Sequence, residues 1–111
     1  MMGRLNSTQR IAGFNDVELV SLITQNPERA NEFIKRTLGG LESADAELRD
    51  TVLCFVTEQC NASHAAAALF IHRNTLLRRT ARAEQLLPRP LDRNSVHVAV
   101  ALEAMRWRGA D

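Results

Sequence analysis

Apolar residues along this chain recur at the spacing of α-helices rather than strands. Between residues 44 and 59, Leu48, Val52, Phe55 and Val56 follow the i, i+4, i+7, i+8 pattern of one core-facing stripe. No region is rich in strand signals, and no internal repeat is found. The pattern predicts an all-α protein, a small helical domain of about six helices.

Cap and breaker residues set the predicted limits of these helices. We expect helices over about residues 17–23, 27–38, 44–59, 62–70, 72–87 and 95–107. The predicted N-caps are side chains that accept hydrogen bonds from free backbone amides, namely Asn15 or Asp16, Asn26, Ser43, Asn61 and Asn94. Gly39–Gly40 and later Pro88 and Pro90 end helices. Residues 15–111 are predicted to form one helical domain, preceded at 1–14 by an arm or the remnant of an upstream domain.

The most informative segment is the pair of helices predicted at about residues 62–87. The first is rich in alanine, and the second carries four arginines between Arg73 and Arg82 with no acidic residue among them. Small side chains let two helices approach closely, so that the second helix presents a protruding basic face. This arrangement is typical of a helix-turn-helix that places side chains in the major groove. Double-stranded DNA is therefore the predicted partner.

A helical wheel divides the second of these helices into a packing face and a polar face. At about 100° per residue, the packing face consists of Leu76, Thr80, Ala83 and Leu87. The polar face offers amide and guanidinium groups that suit adenine and guanine edges. The residues predicted to contact DNA are Arg73, Asn74, Arg78, Arg82 and Gln85, with Thr75, Arg79 and His72 holding phosphates. His72 has two open interpretations: it caps the helix or contacts a phosphate, or it is a corner histidine satisfied by a backbone carbonyl.

Charge is distributed unevenly between the two halves of the chain. The net charge of +1 divides into −3 for residues 1–60 and +4 for residues 61–111. Such asymmetry fits a nucleic-acid-binding half beside a supporting half, although a solvated basic helix face has the same charge. No apolar run reaches the roughly 20 residues that span a bilayer, and no signal-peptide pattern is found. The expected location is the cytoplasm, with no membrane partner.

The last predicted helix is apolar on almost every side. A helix of this kind is either deeply buried or covered by a partner, and a domain this small cannot easily bury a whole terminal helix. The sequence therefore predicts a homodimer whose interface includes Val96, Val100, Leu102, Met105 and Trp107. A competing hypothesis uses the same helix in a protein-interaction module with little or no DNA binding.

The residue pattern gives little support to the hypothesis of an enzyme or of a metal-binding protein. Cys60 and His64 are spaced i, i+4, and Cys54 and His72 lie nearby in the sequence, so these residues offer thiolate and imidazole ligands for a zinc site. The chain has neither a CxxC nor an HxxxH pair, and a Cys60–His64 dyad lacks an orienting third group. We expect no enzyme, no metal, no cofactor and no small-molecule ligand in this chain.

The segment Leu69-Phe70-Ile71-His72-Arg73-Asn74-Thr75-Leu76, within residues 61–87, resembles the C-terminal helix-turn-helix domain of PucR/CdaR-type transcriptional regulators. The similarity extends over roughly residues 15–107. It implies a Fis-like helical domain that binds DNA as a homodimer in a bacterial regulator. This chain departs from the family pattern at several positions. An aromatic residue is usual at Arg78, an arginine is common at Leu77, larger aliphatic residues are usual at Thr80 and Ala83, and glycine is usual at Pro88.

Overall fold

The structure, a computed structural model, describes the backbone of residues 25–110 and the side chains of residues 25–108. Over this range the chain is helical and has no strand, which confirms the predicted all-α class. Its elements are α1 (Pro27–Leu38), a short 3-10 helix (Gly39–Ser43), α2 (Ala46–Thr57), α3 (Ala62–Leu69), α4 (Arg73–Leu86) and α5 (Leu91–Ala110). The predicted arm at 1–14 and the helix predicted at 17–23 lie outside the described residues.

Two predicted caps are confirmed, and one is wrong. The Asn26 side chain accepts hydrogen bonds from the amides of Glu28 and Arg29 at 3.1 and 3.2 Å, with Pro27 at the first helical position. Asn61 accepts one from the amide of His64 at 2.9 Å. Ser43 does not cap α2, because its hydroxyl donates to the Gly40 carbonyl at the end of the 3-10 helix. That extra turn moves the start of α2 to Ala46, with Asp45 at the N-cap position.

Helix α5 begins earlier than the sequence predicts. Its first residue is Leu91, and the backbone at Asn94 departs from helical angles (φ −133°, ψ 18°). The short turn before Asn94 is held by Glu84, whose carboxylate accepts the Leu91 amide at 3.1 Å. Asn94 therefore still marks the start of the regular helix, preceded by one turn that packs Leu91 into the core.

One large core joins α1, α2, α5 and the C-terminal half of α4. Fifteen buried apolar residues form it, among them Ile34, Leu38, Val52, Leu87 and Leu102. Helix α5 crosses this core and packs against both α1 and α2. At its C-terminal end, Arg108 donates to the Asn31 side chain at 2.6 Å and lies 3.7 Å from Glu42. Within the described residues, no helix is long and apolar enough to cross a membrane.

Helix α5 leaves only part of the predicted dimer surface exposed. Val100 and Leu102 are 5% and 2% exposed, so neither side chain is available to a partner. Helices α1 and α2 fold over α5, so more of α5 is buried than the small size of the domain led us to expect. Val96 and Trp107 remain 46% and 43% exposed, and Met105 is half-buried. A homodimer contact through these three side chains stays a prediction.

Candidate nucleic-acid interface

Helices α3 and α4 meet at a tight corner built around a left-handed residue. Phe70 follows α3 with φ 58° and ψ 41°, a conformation usually taken by glycine. The amides of Phe70 and Ile71 donate to the carbonyls of Ala67 and Ala66 at 3.2 and 3.0 Å, which ends α3. Because the backbone reverses at Phe70, its side chain projects outward and is 94% exposed.

The inside of this corner is a small cluster of side chains. Ala65, Ala66 and Leu76 are buried there, with Leu69 and Ile71 packed around them. Alanine at the two α3 positions leaves little between the helix backbones, so α4 lies close against α3. The cluster holds α4 from its first turn, which is the part of a recognition helix that meets base edges in a helix-turn-helix.

His72 caps α4. Its Nδ1 atom accepts the Asn74 amide at 3.0 Å, while its backbone is extended. Of the two interpretations left open by the sequence, this geometry favours the cap. The imidazole satisfies one free amide of the first turn of α4, and the helix dipole still favours an anion at this end.

Helix α4 has the two faces that the wheel predicts. Leu76, Thr80 and Ala83 are buried, as is Leu87 just beyond the helix. Six of the eight side chains predicted to contact DNA are exposed: His72, Arg73, Asn74, Arg78, Arg82 and Gln85. Within the described part of the chain, Arg73, Arg78 and Arg82 form no ion pair, so three guanidinium groups on one helix are free to bind an anion.

Arg79 differs from the other arginines of α4. Its guanidinium donates to the Thr51 hydroxyl at 3.3 Å and lies 3.5 Å from the Glu47 carboxylate. Thr51 in turn donates to the Glu47 carbonyl at 2.8 Å. Arg79 thus links α4 to α2, and its side chain is only 26% exposed. Sequence reasoning missed this role, although Glu47 and Thr51 are spaced i, i+4 on the face of α2 that meets α4.

The thiols and histidines do not gather into a reactive site. Burial raises the pKa of the Cys54 thiol, and Glu58 adds to the rise. Partial burial, followed by Asp92 and Glu84, raises the pKa of Cys60. Both groups are therefore held as thiols at neutral pH, unlike an activated nucleophile. Among residues 25–108, no group of three or more Cys, His, Asp or Glu is placed to hold a metal ion.

The fold and this exposed basic helix define a helix-turn-helix domain. Comparison with known sequences places it more closely: the profile of the PucR C-terminal helix-turn-helix domain matches residues 48–104, about half of the chain. The chain belongs to this family, a family of transcriptional regulators, as the sequence resemblance predicted.

A curated relative and the known structures complete the comparison. The chain is similar to the transcriptional activator PmfR of Paenarthrobacter nicotinovorans, with 31% identity over 91 residues that cover 79% of this chain. It spans only 19% of that relative's length. No solved structure matches the chain significantly.

Proposed function

We propose that this chain is a sequence-specific DNA-binding module of a bacterial transcriptional regulator, working in the cytoplasm and binding the major groove as a homodimer. The observation that carries the proposal is the exposed face of α4. Asn74, Arg78 and Arg82 follow one another at i, i+4 spacing, opposite the buried face of the same helix. Arginine and asparagine on such a face can bind guanine and adenine edges bidentately.

Phosphate contacts would come from the edges of this face. Arg73 and Thr75 lie on the first turn of α4, where free amides also favour an anion. Arg79 is a weaker candidate for this role than the sequence indicated, because it must leave Glu47 or share its guanidinium with a phosphate.

The first test is selection of bound fragments from mixed genomic duplexes at 50 and 200 mM salt. We expect an inverted repeat with half-sites about one helical turn apart, the spacing that a symmetric dimer of recognition helices imposes. Binding without sequence enrichment would reduce the proposal to backbone recognition. Absence of binding at low salt would overturn it.

Single substitutions then separate base from phosphate contacts. Arg78→Ala and Asn74→Ala should each relax preference at one position, at roughly 1–3 kcal/mol per lost contact. Arg36→Ala is the matched control, since Arg36 is an exposed arginine on α1, which packs on α5. Equal losses from Arg78→Ala and Arg36→Ala would indicate that only net charge matters.

A protein-interaction module remains the second candidate, supported by one observation. Trp107 is 43% exposed at the edge of a groove between α1 and α5 that is also lined by Pro27, Ala30 and Ile34. If a protein partner is the main ligand, its affinity will survive competitor DNA and fall with Trp107→Ala rather than with Arg78→Ala.

A further inference from the structure

The exposed face of α4 carries apolar as well as polar side chains. Leu77 is 39% exposed although it is a large aliphatic residue, and Ala81, one turn later, is exposed as well. The two residues form an i, i+4 row immediately beside the row of Asn74, Arg78 and Arg82. The exposed face therefore consists of two parallel rows, one polar and one apolar.

The position of Leu77 on the helix makes this apolar row informative. Leu77 lies one turn after Arg73, in the N-terminal half of α4 that meets base edges in a helix-turn-helix. An isolated exposed leucine is ordinary on a protein surface. Here Leu77 lies between exposed side chains of the kinds that bind DNA. A duplex that forms hydrogen bonds with Asn74 and Arg78 would therefore also cover Leu77.

We propose that Leu77, with Ala81 beside it, reads the C5-methyl group of thymine in the major groove. The methyl group is the apolar feature that distinguishes thymine there, and aliphatic side chains recognise it by contact. This inference rests on the proposed DNA binding and adds a specificity determinant to it. The polar row selects bases through hydrogen bonds, whereas Leu77 selects thymine by excluding water from its methyl group.

The test removes the methyl group without changing any hydrogen bond. In the selected half-site, each thymine is replaced in turn by deoxyuridine, and the Kd is measured with the wild-type chain. Burial of one methyl group tightens binding roughly fourfold. We therefore expect one or two positions at which deoxyuridine weakens binding about fourfold, while the remaining positions are unaffected.

Variants at Leu77 assign the effect to this side chain. In Leu77→Gln, thymine and deoxyuridine duplexes should bind nearly equally well, and in Leu77→Ala the discrimination should fall to the small part that Ala81 supplies. Leu77→Met keeps an aliphatic surface and should retain most of the discrimination. Circular dichroism checks that each variant is folded, and the ratio of the two affinities is insensitive to the amount of active protein.

The possible results separate this inference from the proposed function. If the wild-type chain binds its selected site but every deoxyuridine substitution is silent, or if Leu77→Ala keeps the full discrimination, thymine reading by Leu77 is wrong while DNA binding stands. A selected half-site without thymine has the same consequence. If no duplex is bound at low salt, the proposed function fails and this inference fails with it.

Discussion

The helix-turn-helix corner and the remainder of the domain are held together in different ways. The main core contains fifteen buried apolar residues, most of them leucine, isoleucine or valine, whereas the corner between α3 and α4 contains three, of which two are alanines. Phe55 is half-buried and packs against both clusters. The corner therefore depends on close approach, the Asn61 and His72 caps, and the turn at Phe70, with little buried area of its own.

This contrast suits the DNA-binding role proposed for α4. A thin corner lets α4 protrude, because bulky side chains between α3 and α4 would move the helix and change which groups reach a groove. The main core supplies stability at a distance from the proposed DNA interface, through Ala83 and Leu87 near the C-terminal end of α4. The N-terminal half of α4, which presents Asn74, Leu77 and Arg78, is anchored by the corner cluster and by Arg79 rather than by the main core.

The largest expected effect comes from truncating Leu76, the one large side chain that is fully buried in the corner. Leu76 is fully buried, and Leu76→Ala should destabilise the fold by roughly 2–5 kcal/mol. Leu102→Ala in the main core is the matched control, since Leu102 is 2% exposed. Urea denaturation gives the unfolding free energy of each variant, and amide hydrogen exchange of the native protein locates the loss. We expect faster exchange confined to α3 and α4 in Leu76→Ala, and a general loss of protection in Leu102→Ala. Uniform loss of protection in both variants would mean that the corner is no separate unit.

A second substitution tests the connection between the main core and the end of α4. Gly39 has φ 54°, and a Cβ atom placed there would lie 3.0 Å from Pro88 Cδ and 3.1 Å from the Leu86 carbonyl oxygen. Gly39→Ala should therefore cost about 2 kcal/mol in unfolding free energy, from backbone strain and a close contact together. Gly40→Ala provides the control, because a Cβ atom at Gly40 would have as its nearest neighbour a methyl group of Leu86 at 3.3 Å. Equal melting temperatures for the two variants would contradict this account.

A substitution at the corner should stabilise the protein instead. Phe70 adopts a left-handed conformation and is 94% exposed, so its replacement sacrifices almost no buried area. Phe70→Gly should raise the unfolding free energy by roughly 1 kcal/mol, because glycine adopts this conformation without steric cost. Phe70→Ala keeps the Cβ atom and should show no comparable gain. Thermal denaturation of the three proteins compares them directly, and a lower melting temperature for Phe70→Gly would show that Phe70 has a packing role.

Much of this architecture could be predicted from residue pattern. The packing face of α4, the caps at Asn26 and Asn61, and the limits of α3 and α4 follow from local rules of helix spacing and capping. The predicted cap at Ser43 is wrong because its hydroxyl bonds within a 3-10 turn that local rules did not predict. The burial of Val100 and Leu102 was also not predicted, because it depends on how α1 and α2 fold over α5. The roles of Phe70 and Arg79 were also missed, since one requires backbone angles and the other a contact between residues 28 positions apart.

The smallest expected effect on stability concerns the Glu47–Arg79 contact at the border of the two regions. Glu47 is 72% exposed, so Glu47→Gln should change the unfolding free energy by less than about 1 kcal/mol. Its effect on DNA should be larger. The carboxylate lies 3.5 Å from Arg79 and, with Asp45, lines a shallow depression that Arg78 and Arg82 also border.

Removing that negative charge should therefore tighten binding to all duplexes, because Arg79 is released to a phosphate and repulsion of the backbone decreases. Glu32→Gln is the control, as Glu32 is an exposed acid on α1. Affinities at 50 and 200 mM salt for a selected and an unrelated duplex should show a similar gain on both for Glu47→Gln, and a smaller gain for Glu32→Gln. If Glu47→Gln instead weakens binding to both duplexes, Glu47 holds Arg79 in its DNA-binding position rather than competing with phosphate for it.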